Sequence, residues 1–278
     1  MKELSGRVGI VTGAASGLGQ AIARRFAEAG ARVVIADVND AAGQATAVEI
    51  GTGAVFRHTD VAEPDEVRSL VEFAVDTLGG LDVMVNNAGV SGNMHQRFFD
   101  EDFADFSHVL SVNLLGTMVG TQAAGRHMAE HGGGSIINVT SIGGITAGRS
   151  VISYRASKAG VIQMSKSAAI DLAEHGVRVN CIAPGNIPTG LLASSMSASD
   201  GSGNGQVAMI RAIQAVSKPL RREGAAGDVA EAALYLAGEK SAYITGIVLP
   251  VDGGTTAGTP FSSADLAKIA AVDQSGHG

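Results

Sequence analysis

Two side chains that could exchange a proton stand four residues apart in the segment 153–158. Tyr154 and Lys158 have the spacing that brings two side chains together on one face of a helix. A phenol normally titrates near pH ~10, and a neighbouring ammonium group favours the phenolate. The pair is therefore predicted to act in general acid–base chemistry, with the tyrosine pKa lowered toward working pH. The same spacing also occurs by chance on exposed helix faces, so the rest of the chain must decide.

Ser141 offers a hydroxyl group that could join this pair. It follows the apolar run 136–140, which predicts a buried strand. A hydroxyl at the carboxyl end of a strand faces the crevice where open α/β sheets bind ligands. A serine there can also simply cap the end of the strand.

A second candidate site lies in the glycine-rich segment after the apolar run 8–12. Its spacing, G-x-x-x-G-x-G, precedes a predicted helix and then a strand that ends at Asp37, 18 residues after Gly19. Glycines let a backbone approach a pyrophosphate at a helix N-terminus, and a carboxylate about 20 residues further on binds a ribose. The alternative is a glycine-rich loop that caps an ordinary helix. The predicted cofactor contacts here are Gly13, Ser16, Gly17, Leu18, Gly19, Asp37 and Val38.

The same residues predict which nicotinamide cofactor is used. Asp37 would repel a 2′-phosphate, and the loop residues 14–16 offer no arginine or lysine to bind one. NAD is therefore predicted in preference to NADP.

Apolar runs and helical patterns alternate along the chain. Strands are predicted at 8–12, 32–37, 54–61, 81–89, 135–141, 177–182 and 247–251, and helices at 18–29, 64–78, 103–131, 154–175 and 226–237. Regular alternation predicts an α/β fold: a Rossmann-like, doubly wound parallel sheet of about seven strands with helices on both faces. No linker or change of composition divides the series, so residues 1–278 are predicted to form a single domain.

Composition excludes several classes of function. The chain has 278 residues, 45% of them hydrophobic, and a net charge of -7 without a basic tract, which counts against nucleic-acid binding. No apolar run reaches membrane-spanning length, and no signal peptide is recognised, so no membrane association is expected. Cys181 is the only cysteine, which favours a buried thiol and a cytoplasmic location. The histidines lack metal-ligand spacing, so no catalytic metal is predicted; a substrate contact by His95 stays open.

Taken together, these motifs resemble the short-chain dehydrogenase/reductase family from about residue 7 to residue 256. The resemblance implies reversible oxidation of an alcohol to a ketone by hydride transfer to a nicotinamide. It implies a catalytic set made of Asn113, Ser141, Tyr154 and Lys158, in which Asn113 holds a proton-relay water. Further cofactor contacts implied by the resemblance are Asp60, Val61, Asn87, Ala88, Gly89, Tyr154, Lys158, Pro184, Gly185, Ile187 and Thr189.

The resemblance also implies a homotetramer that pairs through the predicted helices 103–131 and 154–175. Small residues on these helices are expected to let helices of different subunits approach closely; they are Gly116, Gly120, Ala124 and Ala168. The segment 186–218 is predicted to be a substrate lid, because apolar flanks enclose a Gly- and Ser-rich middle. Those flanks favour an uncharged, fairly hydrophobic substrate. After it, a C-terminal tail at 257–278 is predicted to contain one short helix at 263–272.

Alternatives to this function remain within and outside the family. A cofactor-binding regulatory module without turnover would keep the fold but would not need Ser141, Tyr154 and Lys158 together. An epimerase or dehydratase of the related extended group would need a larger C-terminal domain. A 3-oxoacyl-carrier-protein reductase is a further alternative, but Asp37 and the acidic balance of the chain count against it. A sugar or polyol dehydrogenase also stays open.

Overall fold

The strands of the chain align in one parallel sheet, whose spatial order is 3-2-1-4-5-6-7. The computed structural model describes residues 2–95, 97–188, 218–258 and 260. The strands are β1 Val8–Thr12, β2 Arg32–Asp37, β3 Ala54–His58, β4 Val83–Asn86, β5 Gly134–Val139, β6 Val177–Pro184 and β7 Val248–Val251. Because all neighbouring pairs are parallel, the carboxyl ends of the strands lie at the same edge. The order reverses between β1 and β4, which is where such sheets bind ligands.

Helices cover both faces of this sheet. In the described residues they are α1 Gly17–Glu28, α2 Asp40–Ile50, α3 Pro64–Leu78, α4 Phe106–Leu110, α5 Gly116–Glu130, α6 Ile152–Leu172 and α7 Ala226–Ala237. Helices α1, α2 and α7 contribute to the apolar core on one face, and α3, α5 and α6 contribute to the core on the other. The predicted Rossmann-like, doubly wound α/β fold is therefore confirmed.

The sheet separates two apolar cores because successive strand residues point to opposite faces. In β1, Ile10 belongs to one core and the adjacent Val11 to the other. Phe26 of α1 lies in the same core as Val11, and Met128 of α5 lies in the same core as Ile10. Neither of these two side chains is exposed. Burial of a side chain of this size contributes about 1.5–3 kcal/mol, which explains why the strands are apolar along both faces.

Helix α2 was not predicted from the sequence. Its residues carry no strong apolar stripe, so the pattern gave no helical signal. Two local features fix it instead. The Asn39 side chain caps the helix by accepting a hydrogen bond from the Ala42 amide at 3.1 Å. Gly43 then lets the helix lie directly against the ring of Phe56, which a Cβ atom at this position would overlap.

The predicted helix 103–131 is in fact three consecutive helices. Helix α4 ends at Leu110, a π-helix follows at Ser111–Leu115, and α5 begins at Gly116. The π-helix contains Asn113, and such bulges occur frequently at functional sites. Spacing alone could not reveal it, because a π turn and an α turn place apolar residues at similar intervals.

The small residues on α5 and α6 that were expected at subunit contacts make contacts within the chain. A Cβ atom at Gly116 would come within 2.6 Å of the Val61 carbonyl oxygen, and one at Gly120 would overlap the Asn86 side chain. Ala124 is fully buried in the core, and Ala168 of α6 packs against that same core. Contacts within the chain therefore account for their small size, and the expectation that they also serve subunit contacts stays a prediction.

Candidate active site

The glycine loop after β1 is tied to the loop after β4 by a set of short hydrogen bonds. The Asn87 side-chain amide donates to the Thr12 carbonyl at 2.8 Å and to the Gly13 carbonyl at 3.2 Å. In return, the Thr12 hydroxyl accepts from the amides of Asn87 and Ala88 at 3.0 and 3.1 Å. Gly13 has φ +63, and a Cβ atom there would lie 2.8 Å from the Ala88 Cα atom. Only glycine meets both conditions, so the loop shape depends on this residue.

The N-terminus of α1 is suited to bind an anion. Ser16 precedes it in an extended conformation, and its side chain makes no capping hydrogen bond to the helix. The first-turn amides of Gly17, Leu18 and Gly19 therefore carry no N-cap side chain. A helix N-terminus with free amides favours a phosphate, and Gly19 lets the loop lie close to Asn87. This geometry fits the pyrophosphate of a dinucleotide.

Asp37, at the end of β2, brings a carboxylate to the same loop. One carboxylate oxygen accepts from the Ala15 amide at 2.9 Å and the other from the Asn39 amide at 3.0 Å. The group is only partly buried, so it keeps lone pairs for a ligand's hydroxyl groups. Its negative charge opposes a second anion at the same place. Val38, the next residue, is 58% exposed.

Asp60 and Val61 lie in the segment between β3 and α3. The Asp60 carboxylate accepts from the Ala62 amide at 2.9 Å, which is the bond of a residue that caps a turn. Val61 is buried against Gly116 of α5. These contacts fix the positions of Asp60 and Val61 within the chain. An adenine contact by either residue stays a prediction.

A buried network of amide and hydroxyl groups fixes the centre of the sheet below the site. The Asn86 side chain donates to the Asn138 side chain at 2.8 Å, and Asn138 donates to the Ser165 hydroxyl at 2.8 Å. Thr121 lies within 3.3 Å of both asparagine side chains. Since the asparagines occupy paired positions on β4 and β5, the network joins two strands to α5 and α6. It positions the strand ends that carry the predicted site residues.

Ser141 and Tyr154 lie close enough for the serine hydroxyl to influence the pKa of the phenol. Ser141 begins a short 3₁₀ turn, and its hydroxyl also accepts from the Gly143 amide at 3.0 Å. Burial raises the pKa of the Tyr154 phenol, while the hydrogen bond from Ser141 and the charge of Arg155 act in the opposite direction. The net direction is opposite to the lowering by Lys158 that the spacing predicted. The reason is that loss of water around the phenol outweighs the neighbouring charges.

Lys158 lies one turn beyond Tyr154, and its ammonium nitrogen is 5.8 Å from the centre of the tyrosine ring. This nitrogen donates to the Val139 carbonyl at 2.9 Å, and the residue is 3% exposed. Burial lowers the pKa of Lys158 to about 8. Gly89 allows the ammonium group to approach the loop after β4, because a Cβ atom at Gly89 would lie 3.3 Å from it. Lys158 therefore lies close to the loop after β4, which is hydrogen-bonded to the glycine loop.

Asn113 connects the π-helix to this same segment. Its side chain accepts from the Val90 amide and donates to the Val90 carbonyl, both at 2.8 Å. It also donates to the Ser157 hydroxyl at 3.0 Å, and Ser157 lies on α6 between Tyr154 and Lys158. Asn113 therefore joins α6 to the loop after β4. Both amide hydrogens of its side chain are occupied by these bonds, and its amide oxygen accepts one of them.

The segment after β6 packs against the segment after β7. Gly185 packs against Asp252, where a Cβ atom would meet the Asp252 Cα atom at 2.8 Å. Pro184 ends β6, and Ile187 is buried beyond it. A cleft of about 390 Å³ opens here. Thr189 and most of the predicted lid, 189–217, lie outside the described residues, as do residues 261–278 of the tail.

The structure brings most of the predicted site residues to the carboxyl edge of the sheet and adds three that the sequence analysis did not single out. Thr12 anchors the glycine loop, and Thr140 donates to the Lys158 carbonyl at 2.8 Å. Arg155 contacts the loop between Ser141 and Tyr154. Thr12 and Thr140 are hydroxyl residues at the ends of strands, which is the same signal that identified Ser141.

One group of metal-ligand type occurs in the described residues, at His95, Glu101 and Asp102. Their ligand atoms lie within 4.8 Å of one another, although the sequence spacing of the histidines gave no such signal. The His95 and Glu101 side chains approach to 3.8 Å, which is too long for a hydrogen bond. Acidic groups often cluster without an ion, so the group alone does not indicate a metal. Cys181 is buried, as predicted.

Comparison with known proteins places this site in context. A family model described as enoyl-(acyl carrier protein) reductase matches residues 13–256. The chain is 41% identical to momilactone A synthase from Oryza sativa subsp. japonica over 256 residues, covering 91% of each protein. It is 37% identical over 256 residues to the mitochondrial borneol dehydrogenase of Lavandula x intermedia, covering 92% of this chain and 93% of that protein.

A solved structure shows the same architecture. It is a protein from Sinorhizobium meliloti 1021, described as a short-chain alcohol dehydrogenase. The TM-score is 0.80 at 36% identity, and the match covers 92% of this chain and 98% of the other. Within the described part of this chain, no helix has the length and apolar character needed to cross a membrane.

Proposed function

This chain belongs to the short-chain dehydrogenase/reductase family, and we propose that it is an NAD-dependent dehydrogenase that interconverts a secondary alcohol and a ketone. Proteins of this family are oxidoreductases that use nicotinamide cofactors. The observation that carries the proposal is the meeting of Ser141, Tyr154 and Lys158 beside the glycine loop, where the sheet order reverses. A site for proton transfer and a site for a dinucleotide thus share one edge.

In the proposed mechanism, Tyr154 takes the hydroxyl proton of the alcohol and returns it in the reverse reaction. Ser141, which lies near the phenol, holds the substrate oxygen. Lys158 and the glycine loop hold the cofactor, and Asn113 fixes the loop after β4 and helps pass the proton to solvent. When bound, the nicotinamide accepts or supplies the hydride.

The protonation state of Tyr154 gives the two directions opposite pH dependences. A raised pKa keeps the phenol protonated at neutral pH, which is the form that donates a proton in ketone reduction. Alcohol oxidation needs the phenolate as the base. Oxidation should therefore gain rate as the pH rises toward the tyrosine pKa, while reduction should lose rate above it.

The preference for NAD rests on Asp37. Its carboxylate lies against the glycine loop through the Ala15 amide and is free to accept from ribose hydroxyl groups. A 2′-phosphate at the same position would meet this negative charge. A higher kcat/KM with NADP than with NAD would count against the assignment.

An uncharged, fairly hydrophobic substrate is supported by the names of two relatives, a borneol dehydrogenase and momilactone A synthase. The description of the matching family model raises a second candidate, reduction of an acyl group on a carrier protein. The net charge of -7 opposes binding of an acidic carrier, so a small substrate is the first choice.

The proposal is tested by a panel of secondary alcohols and ketones assayed with NAD and with NADP through nicotinamide absorbance. Tyr154→Phe should lower turnover by roughly 100- to 10,000-fold, the usual contribution of general acid–base catalysis. Tyr235→Phe is the matched control, because Tyr235 lies partly exposed on α7. Near-normal turnover of a folded Tyr154→Phe protein, with NADH binding intact, would refute the role of Tyr154.

We further propose that the chain works as one cytoplasmic domain in a homotetramer. Apolar side chains exposed on the helical segments expected to pair support the assembly: Leu115, Met118 and Ile170 are 42%, 45% and 82% exposed. Light scattering that finds a monomer at micromolar concentration would contradict it.

A further inference from the structure

Arg155, which follows the proposed acid–base tyrosine, occupies the inside of the loop that joins Ser141 to α6. Its guanidinium donates to three carbonyl groups of this loop: those of Thr146 at 3.1 Å, Ser150 at 3.4 Å and Arg149 at 3.5 Å. Such a fork of fixed donors is specific to arginine, since a lysine offers a single point charge. The side chain therefore ties a whole loop to the first turn of α6.

The loop needs such support because its backbone is strained. Ser150 and Val151 have φ values of 64° and 43°, which non-glycine residues rarely adopt. Residues in this conformation are destabilised and persist only when their surroundings fix them. Gly148 leaves room for the guanidinium, because a Cβ atom there would overlap it. The arginine and the strained backbone thus form one packed unit.

The same unit determines where the proton-transfer groups stand. The loop begins at Ser141, whose hydroxyl accepts from the Gly143 amide at 3.0 Å and influences the pKa of the nearby Tyr154 phenol. It ends at Val151, whose carbonyl accepts from the Arg155 amide at 3.0 Å. The loop that Arg155 holds is thus the segment that connects the serine hydroxyl to the helix carrying the phenol.

Charge provides a second link. The cations near Tyr154 in the described structure are Lys158, 5.8 Å from the ring centre, and Arg155. The positive charge of Arg155 lowers the pKa of Tyr154 and partly offsets the effect of burial. A cation that can never lose its proton keeps this contribution at every working pH.

We propose that Arg155 is a positioning residue, which fixes Ser141 relative to Tyr154 through the loop 142–151 and keeps a permanent positive charge near the phenol. This inference rests on the proposed role of Tyr154. It adds to that role a residue outside the Ser–Tyr–Lys set.

The test compares Arg155→Gln, which removes the charge, with Arg155→Lys, which keeps the charge but not the fork. We expect kcat to fall by roughly 10- to 100-fold in both, because a displacement of about 1 Å in a reacting group can cost about 100-fold. The apparent pKa of kcat/KM for alcohol oxidation should rise in Arg155→Gln and stay near the wild-type value in Arg155→Lys. Arg149→Gln removes an exposed cation from the same loop and should change neither quantity.

A folded Arg155→Gln protein with wild-type kcat and an unchanged pH profile would overturn the inference. Equal pH profiles in the Gln and Lys variants would also overturn it, since charge would then have no role. If Arg155→Gln does not fold, Arg155→Met replaces it as the variant without charge. Tyr154→Phe, measured alongside, separates a failure of the proposed function from a failure of the role of Arg155. Normal turnover of Tyr154→Phe would reject the proposed function.

Discussion

Replacing Lys158 with methionine should change the stability of the protein without cofactor in a way that depends on pH. The ammonium group is buried, and burial lowers its pKa from 10.5 to about 8. Each unit of difference corresponds to about 1.36 kcal/mol, so keeping this lysine charged costs the folded state about 3 kcal/mol at pH 7. Methionine has a similar length and carries no charge, which removes that cost.

The sign of the pH dependence follows from the two pKa values. Between pH 8 and 10.5 the unfolded chain holds the lysine proton while the folded chain has released it, so the wild-type protein gains stability as the pH rises. The variant lacks this gain. The stability difference between the two proteins should therefore shift in favour of the wild type by roughly 2–3 kcal/mol from pH 7 to pH 10. A constant offset of about 1–3 kcal/mol from the unpaired Val139 carbonyl does not change this slope.

Urea unfolding at pH 7, 8, 9 and 10, without nucleotide, measures this difference directly. Lys166→Met serves as the control, because it makes the same substitution at an exposed position on the same helix. Turnover of Lys158→Met should be lost at every pH. If the stability difference between Lys158→Met and the wild type stays constant from pH 7 to 10, the lysine is not held in an environment that opposes its charge.

Three further outcomes are expected. Gly13→Ala should weaken NADH binding and lower stability, measured by fluorescence titration and urea unfolding. Gly132→Ala, which has a similar φ of +88 but no atom within 4 Å of the new Cβ, should cost only the backbone strain, and equal losses in both would refute the close contact with Ala88. Asp37→Ser should raise kcat/KM with NADP relative to NAD, and an unchanged ratio would show that Asp37 does not select the cofactor. Asn113→Ala should lower kcat while leaving the Kd for NADH nearly unchanged. The substitution removes hydrogen bonds to Val90 and Ser157 and none to the glycine loop. A loss of NADH binding alone would contradict this.

The sequence predicted the sheet well because its strands carry strong signals. Parallel strands buried on both faces are continuous apolar runs, such as 32–37, and these stand out from the amphipathic helices between them. The glycines of the loop were recognisable for a similar reason, since their spacing is dictated by backbone geometry. Helix α2 was missed because Asn39 and the contact between Gly43 and Phe56 fix it, and the second of these is invisible without the fold.

The site was predicted as a set of residues but not as an electrostatic environment. Spacing alone placed Tyr154 and Lys158 on one helix face, and the structure agrees. It could not show how deeply both groups are buried, and burial determines the direction of both pKa shifts. Arg155 was overlooked because its partners are backbone carbonyl groups, which every residue possesses and no sequence pattern reveals.

The burial of Lys158 also bears on how the site is built. A charged lysine beside the loop after β4 lowers the stability of the free protein, and its hydrogen-bond partner among the described residues is the Val139 carbonyl. An ammonium group has three donors, so two remain to be satisfied by other acceptors. Any ligand that supplies hydroxyl oxygens at this position stabilises the charged form and recovers part of the lost free energy. Binding of the proposed cofactor should therefore raise the pKa of Lys158 and increase the unfolding free energy most strongly below pH 8, where the unliganded protein bears the full cost of the buried charge.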